Sequence, residues 1–196
     1  MVKTILLLIL SVFIYSCQNT KRPDQSNSNP IIAATTTATL KVDDPLWNSP
    51  LGTRMKTEYN FNPGSQGSTD QNVIIQYALK NNIDVKRTSS GLYYNVETEG
   101  KGDSPKMSNS VSCHYIGYFL SGIEFNNSYK MGQPLNFQLE DVIPGWQEAL
   151  LMMKPGGKIK LLIPSGLAFG QTGTPDGLIG PNAVLGFEME LLKLLD

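Results

Sequence analysis

One histidine and two cysteines are the whole supply of imidazole and thiolate ligands in this 196-residue chain. His114 lies in SVSCHYIGYFL, where alternation turns it away from Cys113 and Tyr115 and toward an outer, solvated strand face. A histidine-based metal site therefore lacks a second imidazole. The acidic pairs Asp43-Asp44 and Glu140-Asp141 are adjacent in sequence, which suits solvated turns better than the separated carboxylates of acid–base hydrolysis. Neither a phosphate-binding loop nor a Cys-x-x-Cys pair is present. What stands out is VIPGWQEAL, Val142 to Leu150: Pro144-Gly145 breaks the chain and Trp146 then opens a helix. A broad, rigid indole in that place is either core filling or the floor of an apolar pocket with few polar groups.

The elements around Trp146 follow from periodicity. Trp146, Ala149, Leu150 and Met153 recur at helical spacing, and Pro155-Gly156-Gly157 stops the helix. Strand alternation runs through Leu92, Tyr94 and Val96, then Val111, Cys113 and Tyr115, then Leu135, Phe137 and Leu139. It continues through Ile159, Leu161 and Ile163 and through Leu185, Phe187 and Met189. These segments predict an α+β domain, an antiparallel sheet of about five strands curved around one short helix, with one buried and one wet face. Cys113, inside a strand, reads as a small buried apolar residue. A long glycine-rich connection, Pro164 to Pro181, carries Leu167, Phe169, Leu178 and Ile179, and the cost of leaving them wet predicts that it folds back over the domain.

The N-terminal part is organised differently. Lys3 followed by the apolar run Ile5 to Tyr15 is too short to span a bilayer and reads as a secretory signal, residues 1–16. Ser16-Cys17 resembles the lipobox of bacterial lipoproteins, which implies lipidation of Cys17 and a membrane anchor; an ordinary signal peptide with an incidental cysteine is the alternative. Residues 17–40 are rich in Ser, Thr and Asn and read as a flexible tether to the cell envelope. Residues 41–84 form an extension of ambiguous order, with one helix over 69–82 capped by Thr69 or Asp70 and stopped at Asn81-Asn82. A net charge of -1 with 17 % charged residues argues against a nucleic-acid partner, which calls for a basic stripe.

Residues from about 88 to 196 resemble the FK506-binding-protein (FKBP) type of peptidyl-prolyl cis-trans isomerase. The landmarks are HYIGYFLSGIEFNNS, PLNFQL, VIPGWQEALLMMKPGGKIKLLIPSGLAFG and IGPNAVLGFEMELL, in order and at matching spacing. The pattern is similar to bacterial lipoprotein forms of the macrophage infectivity potentiator type. The resemblance implies an isomerase domain over 85–196 that assists the folding of exported proteins, with no cofactor and no metal. It implies catalytic positions Tyr115, Phe125, Asn126, Trp146, Phe169 and Phe187, and substrate-binding positions Leu135, Phe137, Val142, Ile143 and Ile179. Trp146 would carry the proline ring, and the Ile143 N–H would hold a substrate carbonyl. The implied partners are proline-containing polypeptides and FK506-type macrolides. Asn126 stands where the family usually has aspartate, Phe169 where it usually has tyrosine, and Leu135 where an aromatic is frequent. These departures imply reduced turnover, and they leave open a function of another class: a proline-binding chaperone or assembly module with weak or no turnover.

Overall fold

The computed structural model describes residues 39–195. The apolar leader, Cys17 and the tether as far as residue 38 lie outside the described residues. The predicted tether reaches one residue too far, because Leu40 is buried and its N–H donates to the Tyr59 hydroxyl at 3.1 Å.

Among the described residues seven strands form one antiparallel sheet: β1 (Lys86–Arg87), β2 (Tyr93–Thr98), β3 (Ser110–Phe119), β4 (Glu124–Asn127), β5 (Leu135–Gln138), β6 (Lys158–Ile163) and β7 (Leu185–Leu194). The order is β1-β2-β6-β7-β3-β4, with β5 also on β3. The expected five strands become seven because β1 is only two residues long and β4, EFNN, carries a single apolar residue, so neither shows alternation. One edge of β3 is shared: Ser110–Cys113 pair with β5, and Ile116–Tyr118 pair with β4. Register breaks at Ser112/Cys113 and Gly117/Tyr118 let the strand bend between these partners.

Among the described residues three α-helices accompany the sheet: α1 (Pro50–Lys56), α2 (Gln66–Lys80) and α3 (Pro144–Met152). Pro144 occupies the first turn of α3, where its missing N–H costs nothing, and Gly156 beyond the helix adopts φ 81°. The face of α3 carrying Trp146, Ala149 and Leu150 is buried against the inward residues Val111, Cys113, Tyr115, Leu161, Phe187 and Met189. Val96, expected on that face, is 43 % exposed near the end of β2.

The opposite face of the sheet departs from the expected wet surface. Tyr93 and Leu162 point outward, yet both are buried in a second core with Met55, Tyr59, Ile74, Ile75, Ala78 and Leu79. The extension thus packs on the back of the sheet. Each fully buried Leu, Ile or Met side chain contributes about 1.5–3 kcal/mol by leaving water, which accounts for its order. Elsewhere this face carries cross-strand ion pairs, Lys158–Glu190 at 3.3 Å and Lys160–Glu188 at 3.1 Å.

Helix α2 also starts earlier than expected. Its cap is Ser65, whose Oγ accepts from Ser68 N at 3.3 Å while Ser68 Oγ accepts from Ser65 N at 3.1 Å. Neither Thr69 nor Asp70 caps the helix: both lie within it, and Asp70 is 2 % exposed. The end is near the expected place, with Asn81 as C-cap and Asn82 at φ 52°.

Candidate active site

Trp146 sits at the N-terminal turn of α3, 3 % exposed, with three aromatic rings around its indole. Tyr115 from β3 meets it edge-on at 4.9 Å and 71°, and Phe187 from β7 at 5.2 Å and 84°. Phe137 from β5 lies at 5.7 Å and 48°. Phe125 from β4 continues the cluster, 5.7 Å from Phe187 and 5.1 Å from Phe119. Perpendicular rings place positive edges against negative faces, which fixes their orientations as well as burying area. Alternation brings Tyr115 and Phe187 to the same side of the sheet, and β5 adds Phe137 because Val111 pairs with it in register.

Of the other expected residues, Leu135 opens β5, and Val142, Ile143, Phe169 and Ile179 arrive from segments between elements. Val142 and Ile179 are buried in the same cluster, and Leu135, Ile143 and Phe169 are half-buried against it. Ile143 is the N-cap of α3, and its N–H donates to no hydrogen bond among the described residues. The long connection after β6 folds back as expected through Leu167, Phe169 and Ile179, but Leu178 is 40 % exposed and takes no part. Asn126 is half-buried beside Phe125, its backbone paired with Gly117, and does not belong to the apolar cluster.

The polar content of the site is small. Burial pushes the Tyr115 hydroxyl up to about 12, so it remains a neutral donor at physiological pH. The Trp146 Nε1–H is buried and has no hydrogen-bond partner among the described residues. Buried donors are nearly always satisfied, so an orphan in an aromatic cluster points to a ligand or water acceptor. Cys113, adjacent on β3, is 0 % exposed, and burial pushes its thiol well up and leaves it inert. Among the described residues no group of His, Cys, Asp or Glu is arranged to hold a metal ion.

Two positions that sequence reasoning passed over shape the site. A Cβ on Gly117 would fall 2.7 Å from Phe125 Cε2 and 2.8 Å from Phe187 Cε1, so only glycine lets both rings lie across β3. A glycine inside an otherwise bulky strand was the available signal. Ser128, 0 % exposed, holds the backbone of Tyr115: its Oγ accepts from Tyr115 N at 2.8 Å and donates to Tyr115 O at 3.1 Å. The same oxygen lies 2.9 Å from His114 Nδ1, which assigns the hydrogen to that nitrogen since the hydroxyl proton is already used. His114 is thus not simply solvated: it is half-buried and stacks on Tyr129 at 4.3 Å.

Comparison with known proteins adds the following. Residues 101–192 match the family model described as FKBP-type peptidyl-prolyl cis-trans isomerase. The chain is 52 % identical over 110 residues to FkpA, an FKBP-type peptidyl-prolyl cis-trans isomerase of Escherichia coli K12, covering 56 % of this chain and 40 % of FkpA. It is 44 % identical over 117 residues to the peptidyl-prolyl cis-trans isomerase Mip of Coxiella burnetii, covering 60 % of this chain and 50 % of Mip. The chain thus spans half or less of the length of these relatives. The crystal structure of Escherichia coli FkpA superposes with a TM-score of 0.60 at 41 % identity, over 72 % of this chain and 63 % of that one. A peptidyl-prolyl cis-trans isomerase of Pseudomonas syringae pv. tomato superposes with a TM-score of 0.58 at 33 % identity, over 66 % of this chain and 92 % of that one.

Proposed function

Because the chain belongs to the FKBP-type peptidyl-prolyl cis-trans isomerase family, we propose that it rotates X–Pro amide bonds in exported polypeptides, with the aromatic cleft around Trp146 as the reacting site. The observation that carries this reading is the indole held among perpendicular rings with its N–H unpartnered. Such a surface accepts an apolar proline ring and leaves one donor for a substrate carbonyl.

Rotation about an X–Pro bond passes a barrier of roughly 18–20 kcal/mol, set by the double-bond character of the planar amide. No covalent bond is made or broken, so the site requires no nucleophile. It has to hold the twisted amide better than the planar one, and each factor of ten in rate needs about 1.4 kcal/mol of that difference. A dry cleft removes water from the planar amide carbonyl, which depends on hydration more than the twisted form does. In this reading Trp146 carries the proline ring, while Tyr115, Phe125, Phe169 and Phe187 wall the rotating bond. The Ile143 N–H holds a substrate carbonyl, and Asn126 supplies a polar contact. Leu135, Phe137, Val142 and Ile179 complete the apolar lining.

Asn126 and Phe169 favour a second reading, a proline-binding chaperone with little turnover, because they remove a charge and a hydroxyl from positions that usually carry them. A protease-free isomerisation assay on the full chain separates the two. Turnover above the uncatalysed rate is expected, at a level below that of a family enzyme with aspartate and tyrosine there. No acceleration together with retained binding of a prolyl peptide establishes the chaperone instead. Phe169→Tyr is expected to tighten binding of an FK506-type macrolide by up to about tenfold, the equivalent of about 1.4 kcal/mol; unchanged affinity counts against Phe169 as a ligand contact.

Export and anchoring belong to the same proposal. The apolar leader and Ser16-Cys17 support a lipidated Cys17 in a bacterial envelope, facing the periplasm. Among the described residues no helix is long and apolar enough to cross a membrane. Cys17→Ser is expected to move the protein from the membrane to the soluble fraction, and membrane retention of that variant defeats the anchor.

A further inference from the structure

Asp70 is a carboxylate 2 % exposed in the middle of the chain's N-terminal extension, and none of the salt bridges among the described residues involves it. Burying such a group is costly unless hydrogen bonds replace its water. Its Oδ1 accepts from Gln66 Nε2 at 2.6 Å, within α2. Its Oδ2 reaches across 95 positions of sequence and accepts both from Ser165 N at 2.8 Å and from Ser165 Oγ at 2.6 Å. Ser165 is itself 2 % exposed and opens the long connection that leaves β6 and carries Phe169.

The backbone after Ser165 closes on that same residue. The Ser165 carbonyl accepts from Ala168 N at 3.0 Å and from Gly170 N at 2.9 Å, bracketing Phe169. Gly170 O in turn accepts from Asn182 N at 2.8 Å, tying the turn to the far end of the connection. Leu167, Ala168 and Phe169 then rest on the main core beside the Trp146 cluster. The two cores therefore meet through a buried polar clasp, whose holder is in the extension and whose held residue begins the wall of the cleft.

We propose that Asp70 is a positioning residue for the isomerase cleft: through Ser165 it sets the turn that presents Phe169, so the extension governs how tightly the cleft holds a prolyl segment. This rests on the isomerase reading for its functional consequence but not for its structural one. Asp70 spends both bonds of Oδ2 on a single residue near the start of the connection that carries Phe169.

The test uses the full chain with Asp70→Ala and Asp70→Asn, the latter keeping one acceptor oxygen for Ser165. Amide exchange is read residue by residue, and kcat and KM are measured at a temperature where each variant is fully folded. In Asp70→Ala, exchange of the Ser165, Ala168 and Gly170 amides is expected to rise about tenfold while β3 and β7 keep their protection. KM is expected to rise about fivefold with kcat nearly unchanged, the signature of lost binding. Asp70→Asn is expected to return both toward the original values. Unchanged exchange in the turn, or unchanged KM in an active folded Asp70→Ala, overturns the proposal. If Asp70→Ala does not fold, Ser165→Ala removes only the hydroxyl and must raise KM in the same direction, about twofold, or the proposal fails. If the unaltered chain shows no turnover, the isomerase reading falls. The positioning role is then decided by amide exchange alone, retained protection of the turn in Asp70→Ala (or in Ser165→Ala where that variant stands in) overturning it.

Discussion

Replacing Trp146 by leucine is expected to lower kcat/KM for prolyl peptides by at least about tenfold, a loss of about 1.4 kcal/mol at the transition state, while the domain stays folded. Leucine fills part of the indole volume but offers no flat face. It also loses the ring contacts to Tyr115, Phe137 and Phe187, which lie at 4.9, 5.7 and 5.2 Å. Trp146→Ala removes the volume as well and is expected to cost about 3–5 kcal/mol of stability, measurable by urea unfolding. The two variants separate the roles: stability follows volume, and turnover follows the flat surface. A folded Trp146→Leu protein with undiminished turnover would reduce Trp146 to a core residue. Fluorescence offers an independent reading, provided Trp47 is first replaced by phenylalanine. That second indole lies in the other core and donates to Lys41 O at 2.8 Å.

Gly117→Ala is expected to reduce turnover as strongly as Trp146→Leu without deleting any group. The added methyl would stand 2.7 Å from Phe125 Cε2 and 2.8 Å from Phe187 Cε1, so both rings must shift. Overpacking of this kind costs about 1–3 kcal/mol of stability. Its larger effect is on kcat/KM, at least about tenfold down, because the displaced rings are walls of the proposed cleft. Gly186→Ala is the matched control. Its Cβ would meet the Tyr118 ring at 2.2 Å on the opposite face of the sheet. It is expected to destabilise the domain and leave turnover per folded molecule unchanged. Equal turnover losses in the two variants would mean that general loosening, and not ring placement, limits activity.

The sequence by itself determined the strand residues of the aromatic cluster and the helix that carries Trp146. Pro144 suits the first turn of a helix, and period-two alternation assigns Tyr115, Phe137 and Phe187 to one side of their strands. Both are local constraints, set within a few residues by backbone geometry. The family resemblance added Val142, Ile143, Phe169 and Ile179, which no period marks because they lie in connections. Gly117 and Ser128 were within the same quoted stretches, but their meaning depends on what lies across the strand from them.

Tertiary structure decided what covers the back of the sheet and what holds the loop at its front. Alternation shows that Tyr93 and Leu162 face away from α3; it does not show that Ile74, Ile75 and Met55 meet them. Asp70 reads as a helix cap from its neighbours alone, since a carboxylate near a helix start ordinarily serves the local N–H groups. Ser65 takes that task, and Asp70 turns instead to a partner 95 residues away. Contacts at that separation follow from how two layers pack against one sheet, and hydrophobic periodicity carries no information about the partner on the other side.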